Sequence, residues 1–314
     1  MVVREGSPAF SISEVTTLGA SFDEDLAAYR EAGADGVGLW ETKLPAGDDE
    51  AAAERLRASG LASTNAVPAI PSILPLPLLP GPDDPRERVQ AICGSLRRLA
   101  AFEPDCCVCL TGPAGGREPR EARRLVAEGL RRIAEAAGEA GVRVGLEPVN
   151  RVGGEDWTIA TSIPEALELL EEAGDPSSLG IMFDVWHLWS TPTLLDDVAE
   201  HADRFTGVHV SDWREPTRGW ADRVLPGDGV AGLPRILAAL ELAGWEGPYD
   251  LEIFSDDGTF GDDYPDSLWK VPAPELARRG REAFLRAWEA RIDASPTVTT
   301  SPHVGATQQE ESRA

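Results

Sequence analysis

Short apolar runs alternate with longer segments of helical periodicity from about residue 9 to residue 292. Buried parallel strands read as short continuous apolar runs, whereas apolar residues recur every three to four positions in amphipathic helices. This alternation predicts eight strands, each followed by a helix. The predicted strands are 9–17, 36–40, 61–67, 106–110, 142–146, 179–183, 205–210 and 249–254. The predicted helices are 21–32, 48–59, 86–102, 118–140, 164–173, 192–202, 232–243 and 274–292.

Turn residues mark the ends of these elements. Ser21 has the side chain of a helix N-cap, and Gly33, Gly60 and Gly141 each follow a predicted helix. Eight strand-then-helix units with short turns predict an α/β fold, a (β/α)8 TIM barrel of a single domain. The domain is expected to span residues 1–293, with a disordered tail over 294–314 because that stretch lacks hydrophobic periodicity.

One connection is much longer than the others. Residues 66–80 are apolar but contain five prolines, so they predict a loop rather than a helix or a membrane span. Long loops within compact domains are usually functional, for example as lids over a site. We therefore expect this loop to have a functional role.

Composition and charge limit the partners. The formal net charge is −25, which argues against binding to nucleic acid or to an anionic membrane surface. The amino terminus has no apolar signal sequence, which favours a cytoplasmic location. Three of the four cysteines lie in the predicted fourth strand, and Cys106-x-x-Cys109 has no second pair, so core packing is expected there.

Four consecutive predicted strands carry polar groups at or near their carboxyl ends: Glu147, Asp184, His209 and Glu252. Each could simply cap a helix, but four in successive units predict a shared site, because neighbouring barrel strands lie about 4.8 Å apart. Three carboxylates need a counter-charge in a partly dry site. A divalent cation supplies it, and ligands without sulfur favour Mn²⁺ first, then Mg²⁺, Co²⁺ or Zn²⁺.

Several stretches resemble the xylose-isomerase-like barrels, a superfamily of sugar and keto-inositol isomerases, epimerases, dehydratases and relatives. The resemblance covers roughly residues 9–290 and is nearest to the keto-inositol isomerase type, because of the run that begins at Asp222. The stretches are Glu147-Pro-Val-Asn-Arg151, Phe183-Asp-Val-Trp-His187, Val208-His-Val-Ser-Asp212, Asp222-Arg-Val-Leu-Pro-Gly-Asp-Gly229 and Leu251-Glu-Ile-Phe254.

The resemblance implies roles for these residues. It implies that the four strand-end groups bind the metal and that Glu147 and Glu252 also form an acid–base pair. It further implies that His187 contacts a substrate oxygen and that an arginine after the seventh strand does the same. The candidate arginines are Arg214, Arg218 and Arg223, while Glu155 only loosely matches a further glutamate of the epimerases.

Tryptophans follow several of the predicted strand ends, where sugar C–H faces can stack on their rings. Of these we expect Trp157 and Trp186 to contact the substrate; loop packing is the alternative for each. The tryptophans at such positions are Trp40, Trp157, Trp186, Trp189, Trp213 and Trp220.

The predicted activity is metal-dependent isomerisation or epimerisation of a small carbohydrate or cyclitol through an enediolate. The alternative is a lyase of the same superfamily, an inosose-type dehydratase or a 3-keto-glycoside deglycosidase. A DNA-repair endonuclease shares the barrel but needs more histidines, and a binding protein without catalysis would not need intact ligands. Barrels of this type often pair, so a homodimer is an open alternative to a monomer.

Overall fold

The computed structural model describes residues 7–77, 79–151 and 157–294. Within these residues eight parallel strands close into a barrel, which confirms the predicted TIM barrel. The barrel strands are β1 (Phe10–Ser13), β2 (Gly36–Trp40), β3 (Ala62–Val67), β4 (Cys107–Cys109), β5 (Val144–Leu146), β6 (Leu179–Asp184), β7 (Phe205–Val210) and β10 (Tyr249–Leu251). Their order around the barrel is β1-β10-β7-β6-β5-β4-β3-β2. A two-stranded antiparallel hairpin of β8 (Asp212–Trp213) and β9 (Arg223–Val224) lies outside the barrel.

Helices surround the barrel and follow the predicted positions within a few residues. The capping residues explain their limits: Ser21 and Glu24 form a capping box at the start of the first helix, and Gly33 ends it in the left-handed conformation. The helices are α1 (Phe22–Ala32), α2 (Asp49–Ser59), α3 (Pro85–Leu99), α4 (Pro119–Ala140), α5 (Ile163–Glu172), α6 (Val185–Leu188), α7 (Leu194–His201), α8 (Leu233–Leu242) and α9 (Ala273–Ala294).

Several predicted strands are shorter in the structure, and the first and the eighth differ most. The first ends at Ser13, because residues 14–17 form a buried 3₁₀ turn that contains Glu14. The eighth, β10, ends at Leu251, although the Glu252 amide still donates to Val210 O of β7. The short helix α6 was also not predicted; it begins directly after Asp184, whose Oδ1 accepts a hydrogen bond from Trp186 N at 2.8 Å.

Alternation along the strands decides which side chains enter the barrel. In β10, the ring of Tyr249 packs against Phe284 of α9, with ring centroids 5.5 Å apart, so it faces the helices. Successive strand residues point to opposite sides, so Asp250 and Glu252 both point into the barrel. The core between barrel and helices is continuous, and the predicted cysteine strand β4 is buried within it.

Some predictions fall outside the described residues. These are Glu155 and the disordered tail, of which only Ala294 is described and belongs to helix α9. In the described parts of the chain, no helix combines the length and the apolar character needed to cross a bilayer.

Candidate metal centre

Four side chains of the types that bind metals meet at the carboxyl end of the barrel. Glu147, Asp184, His209 and Glu252, called the acidic cluster below, each offer one ligand atom, and these atoms lie within 4.8 Å of one another. All four residues are buried. The structure thus brings together the residues that the sequence predicted as metal ligands; that they bind a metal stays a prediction.

The backbone of the barrel places these side chains. Asp184 is the last residue of β6 and lies in register with His209 on β7. Glu147 directly follows β5, and Glu252 directly follows β10. The Glu252 amide donates to Val210 O at 3.1 Å, so this residue continues the ladder with β7. Four adjacent strands therefore direct one polar group each to the same point.

Two cationic groups neutralise part of the acidic cluster. Nδ1 of His209 lies 3.4 Å from Glu147 Oε1 and 3.4 Å from Glu252 Oε2. Nη1 of Arg223 donates to Asp184 Oδ2 at 2.8 Å and lies 3.1 Å from Glu252 Oε2. Buried carboxylates need such partners, because an uncompensated charge is costly away from water.

These contacts shift the proton affinities. Burial lowers the pKa of His209, but the carboxylates of Glu252, Glu147 and Asp250 outweigh it and raise the pKa to about 10. Burial raises the pKa of Glu252 to about 7, against the opposing charges of His209 and Arg223. Such divergent values among neighbouring groups are typical of sites that move protons.

A fourth carboxylate, that of Asp250, lies behind His209. Oδ2 of Asp250 is 3.7 Å from His209 Nε2, on the side of the ring away from Nδ1. Oδ1 of Asp250 accepts a hydrogen bond from the Ser11 hydroxyl. The absence of a side chain at Gly38 leaves space for the Asp250 carboxylate, since a Cβ at position 38 would lie 2.6 Å from Asp250 Oδ2. We did not predict Asp250 from the sequence, although its spacing of two residues before Glu252 on a strand indicates the same side of the sheet.

His187 lies beside the acidic cluster as predicted from its spacing to Asp184. Its Nδ1 accepts a hydrogen bond from the backbone amide of Asn150 at 3.3 Å. Burial, which Asp184 only partly opposes, lowers the pKa of His187 to about 4. The ring is therefore neutral at pH 7 with its proton on Nε2, and that nitrogen can donate to an oxygen in the cavity.

Arg223 is the arginine that reaches the acidic cluster, and the β8–β9 hairpin places it there. Asp212 holds the turn, because its carboxylate accepts hydrogen bonds from the amides of Trp213, Gly227 and Ala231. Gly229 packs so closely that a Cβ would lie 2.4 Å from Trp213 O. The two sequence stretches 208–212 and 222–229 therefore form one structural unit.

Arg214 and Arg218 point elsewhere. Both guanidinium groups bind Asp222, each through Nε at 2.9 Å, and both also pair with Asp266. Each side chain is about one third exposed (32% and 33%). Their predicted contact with substrate gains no support from this arrangement, and Arg223, the third candidate, occupies the expected place.

A narrow cavity of about 100 Å³ opens above the acidic cluster. Trp157 and His187 line it, in agreement with their predicted positions. Trp186 does not contribute to the lining formed by described residues. Its buried ring instead packs on the Arg223 guanidinium, 4.9 Å from the ring centroid, so contact of Trp186 with substrate stays a prediction. The described lining residues are Trp40, Val67, Pro71, Leu76, Leu79, Val108, Leu110, Glu147, Val149, Trp157, His187, Trp220, Arg223, Glu252, Phe254 and Phe260.

The donor set suits a divalent ion. Two ligand atoms that bind one ion with bonds of about 2.1 Å lie at most about 4.2 Å apart. The ligand atoms of the acidic cluster lie within 4.8 Å of one another, so small side-chain shifts would bring them to these distances. Three carboxylate oxygens and one imidazole nitrogen favour hard or borderline cations. His209 also has the outer carboxylate partner, Asp250, that usually accompanies a metal-binding histidine. These residues could therefore hold a metal ion.

Comparisons with known proteins agree with this geometry. The family described as xylose isomerase-like TIM barrel matches residues 26–288. Over 147 residues the chain is 28% identical to an inosose dehydratase of Geobacillus thermodenitrificans, and over 139 residues it is 29% identical to an inosose isomerase of Halalkalibacterium halodurans. These alignments cover 42% and 43% of this chain and 47% of each relative, so the matched part spans about half the length of those proteins.

A solved structure is similar over nearly the whole barrel. It is a protein of Sinorhizobium meliloti 1021, 27% identical in sequence, and the superposition has a TM-score of 0.76. The match covers 89% of this chain and 98% of that protein.

Proposed function

The chain belongs to the xylose isomerase-like TIM barrel family, and on this premise we propose that it is a divalent-metal-dependent isomerase or epimerase of a sugar or keto-polyol, nearest to the keto-inositol type. The observation that carries the proposal is the convergence of the acidic cluster at a narrow cavity, which Glu147 and Glu252 of the cluster line. The similarity to an inosose isomerase supports it.

We propose Mn²⁺ as the ion, with Mg²⁺, Co²⁺ and Zn²⁺ as alternatives. The three carboxylates and one imidazole of the acidic cluster would hold it, and such a set contains no soft sulfur ligand. When bound there, a divalent ion polarises the substrate carbonyl and makes the neighbouring C–H more acidic, a contribution of several kcal/mol.

Glu147 and Glu252 are the proposed proton carriers. They follow different strands, β5 and β10, and each has an oxygen 3.4 Å from the same atom, Nδ1 of His209. One carboxylate removes the proton next to the carbonyl, a contribution of about 10²–10⁴-fold for a positioned base, and the other returns it. Return to the former carbonyl carbon, with the hydroxyl proton passing to the former carbonyl oxygen, isomerises the substrate. Return to the opposite face of the same carbon epimerises it.

His187 and Arg223 bind the oxygens on which charge develops. Nε2 of His187 donates a hydrogen bond to one substrate oxygen, since the Asn150 amide fixes Nδ1 as the acceptor. The Arg223 guanidinium lies at the cavity surface beside Asp184 and Glu252, where it stabilises negative charge on a second oxygen.

The experiment compares Glu147→Gln and Glu252→Gln with wild type after loading with Mn²⁺. Both variants should lose at least about 10²-fold in turnover of ketoses or inososes and in the exchange of substrate C–H for solvent deuterium. Glu41→Gln is the matched control, because Glu41 is a buried glutamate directly after β2 and is bound to Ala69 N and Arg98. Full turnover by both cluster variants would refute the proposed acid–base pair.

A lyase is the second candidate, because the chain is also similar to an inosose dehydratase. The same base would remove the proton next to the carbonyl. The hydroxyl on the following carbon would then leave with its bonding electrons and, after protonation, depart as water, which leaves a conjugated enone. Ultraviolet absorbance of an enone during turnover of an inosose would identify this reaction; its absence while the substrate changes configuration would favour the epimerase.

A further inference from the structure

The chain that follows β10 pairs with the chain that forms β9. The Arg223 amide donates to Phe254 O at 2.9 Å, and the Asp256 amide donates to Ala221 O at 2.9 Å. The two contacts flank one antiparallel bridge. The turn that begins at Asp256 is therefore anchored beside Arg223, a residue of the site.

The Asp256 carboxylate organises this turn. Its Oδ1 accepts hydrogen bonds from the backbone amides of Gly258 at 3.2 Å and Phe260 at 2.9 Å, and its Oδ2 accepts one from the backbone amide of Asp262 at 2.7 Å. Asp256 is only 1% exposed, so these amides take the place of water around its carboxylate. Donors on both oxygens require a carboxylate, because one end of an asparagine side chain is itself a donor.

Two glycines set the shape of the tip of the turn. Gly258 has a φ of +106° and Gly261 has a φ of +112°, a region that glycine adopts far more readily than residues with a side chain. Thr259 and Phe260 lie between them. Phe260 is therefore the one large side chain at the tip of the turn.

The Phe260 ring lies where the cavity meets solvent, because it lines the cavity and is still 40% exposed. Trp220 packs edge-on against it with ring centroids 5.0 Å apart, and the Trp269 centroid lies 5.9 Å away. These two tryptophans support the ring from the protein side. The cavity has a volume of about 100 Å³, so a bound sugar or cyclitol ring would reach its lining, and C–H groups pack well on an aromatic ring.

We propose that Phe260 contacts the substrate at the mouth of the cavity, and that Asp256 is the positioning residue that holds Phe260 there. Asp256 is not among the described residues that line the cavity. Its carboxylate binds amides of its own loop, so its effect on the substrate passes through Phe260. This inference rests on the proposed function, since it assigns a substrate contact in that same site.

Phe260→Ala tests the contact. The probes are 2-keto-myo-inositol and D-fructose, and the Mn²⁺-loaded full chain is assayed by turnover and by exchange of substrate C–H for solvent deuterium. KM should rise about 3- to 10-fold, which is the usual value of an aromatic contact. The change in kcat should stay below about twofold, because a contact away from the reacting atoms is equal in substrate and transition state. Phe260→Tyr keeps the ring and should restore the wild-type KM.

The matched control for Phe260→Ala is Leu242→Ala. Leu242 is also a large exposed hydrophobic residue, 65% exposed, but it lines a groove between α7 and α8. This variant loses a similar amount of apolar surface far from the turn at Asp256. It should therefore keep the wild-type KM.

Asp256→Asn tests the positioning role. It should raise KM by about as much as Phe260→Ala, and the double variant should be no worse than either single one, because both changes remove the same contact. Amide hydrogen exchange without substrate gives a second readout: exchange at Phe260 and Asp262 should become at least about tenfold faster. Asp257→Asn is the matched control, because the Asp257 carboxylate binds the amide and hydroxyl of Thr259 instead. It should change neither quantity.

Three results would separate the possible failures. An unchanged KM in Phe260→Ala, with an active wild type, would overturn the substrate contact and leave the proposed function intact. Additive effects of the two substitutions on KM, or unchanged exchange at the Phe260 amide in Asp256→Asn, would overturn the positioning role. No turnover and no deuterium exchange by wild type with either probe, or with a panel of further ketoses and inososes, would overturn the proposed function and this inference together.

Discussion

Asp250 Oδ2 lies 3.7 Å from Nε2 of His209, directly behind the imidazole whose Nδ1 faces the acidic cluster. Hydrogen bonds from the barrel interior hold this carboxylate, including one from the Ser11 hydroxyl. Carboxylates in this position fix the orientation of a metal-binding histidine and raise its basicity. We therefore expect Asp250 to act as a positioning residue for His209.

The first prediction follows from this pair. Asp250→Asn should weaken Mn²⁺ binding by about 10- to 100-fold, because His209 loses its charged partner while all four ligands remain. Titration calorimetry with Mn²⁺ measures the dissociation constant directly. Asp25→Asn is the control, since Asp25 is equally buried but pairs with Lys43, outside the acidic cluster. An unchanged constant in Asp250→Asn would contradict the positioning role.

The second prediction separates the three candidate arginines. Arg223→Gln should lower kcat/KM by about 10²-fold, the usual cost of losing one donor to developing negative charge. Mn²⁺ affinity should not fall, because the lost guanidinium is a positive charge 2.8 Å from Asp184 and not a ligand. Arg218→Gln, whose side chain binds Asp222 and Asp266, should change kcat/KM by less than about threefold. Similar losses of kcat/KM in both variants would instead support the contact between Arg218 and substrate that the sequence predicted.

The third prediction concerns the proline-rich loop. Arg88 is buried and donates to Ser72 O at 2.8 Å, to Ser72 Oγ at 2.7 Å and to Pro82 O at 3.2 Å. Arg88→Met leaves these acceptors without donors, so we expect a loss of stability of about 2–3 kcal/mol. The loop carries Leu76 and Leu79 of the cavity wall, so KM should rise more than kcat falls.

Thermal unfolding and steady-state kinetics test the role of Arg88. Arg86→Met is the matched control, because Arg86 lies in the first turn of the same helix but is exposed. Its effect on stability should stay within about 0.5 kcal/mol. If Arg88→Met lowered kcat and left KM unchanged, the loop would not shape the cavity.

The fourth prediction concerns pH. Burial raises the pKa of Glu14 to about 8, even though the Trp40 amide donates to its carboxylate. Between pH 4.5 and pH 8 the folded chain therefore holds a proton that the unfolded chain has lost, and stability falls as the pH rises through this window. Glu14→Gln should remove the part of this dependence that Glu14 contributes and stabilise the protein at pH 8, with little effect below pH 4.5.

Melting temperatures measured from pH 4 to pH 9 test it. Glu24→Gln is the control, because hydrogen bonds from Ser21 lower the pKa of Glu24, which therefore favours folding above its ordinary pKa and not below it. That variant should lose its effect as the pH falls. A wild-type slope retained in Glu14→Gln would show that Glu14 is not the group responsible.

The sequence predicted the barrel because its signal is repeated in every unit. Each buried strand is a short apolar run bounded by turn residues, and the four polar groups of the acidic cluster lie at or near the ends of such runs. Barrel geometry then brings the four together without any knowledge of the loops. This is why the floor of the cavity was predictable from spacing alone.

The remaining parts of the site depend on loop conformation, which has no such periodic signal. Arg214, Arg218 and Arg223 lie in one loop, and only the β8–β9 pairing and the buried Asp222 decide that the third faces inward. Trp186 follows a strand end as predicted, but the cap that Asp184 provides turns the chain into α6 and directs the indole behind Arg223.

The ion pairs around Asp222 also affect how the protein moves. Asp222 binds arginines of the loop after β7, and these arginines reach Asp266 in the loop after β10. These ion pairs link the two loops, so we expect Arg223 and Glu252 to keep their separation when a substrate enters. Amide hydrogen exchange in the presence and absence of substrate should then change first on the opposite side of the cavity.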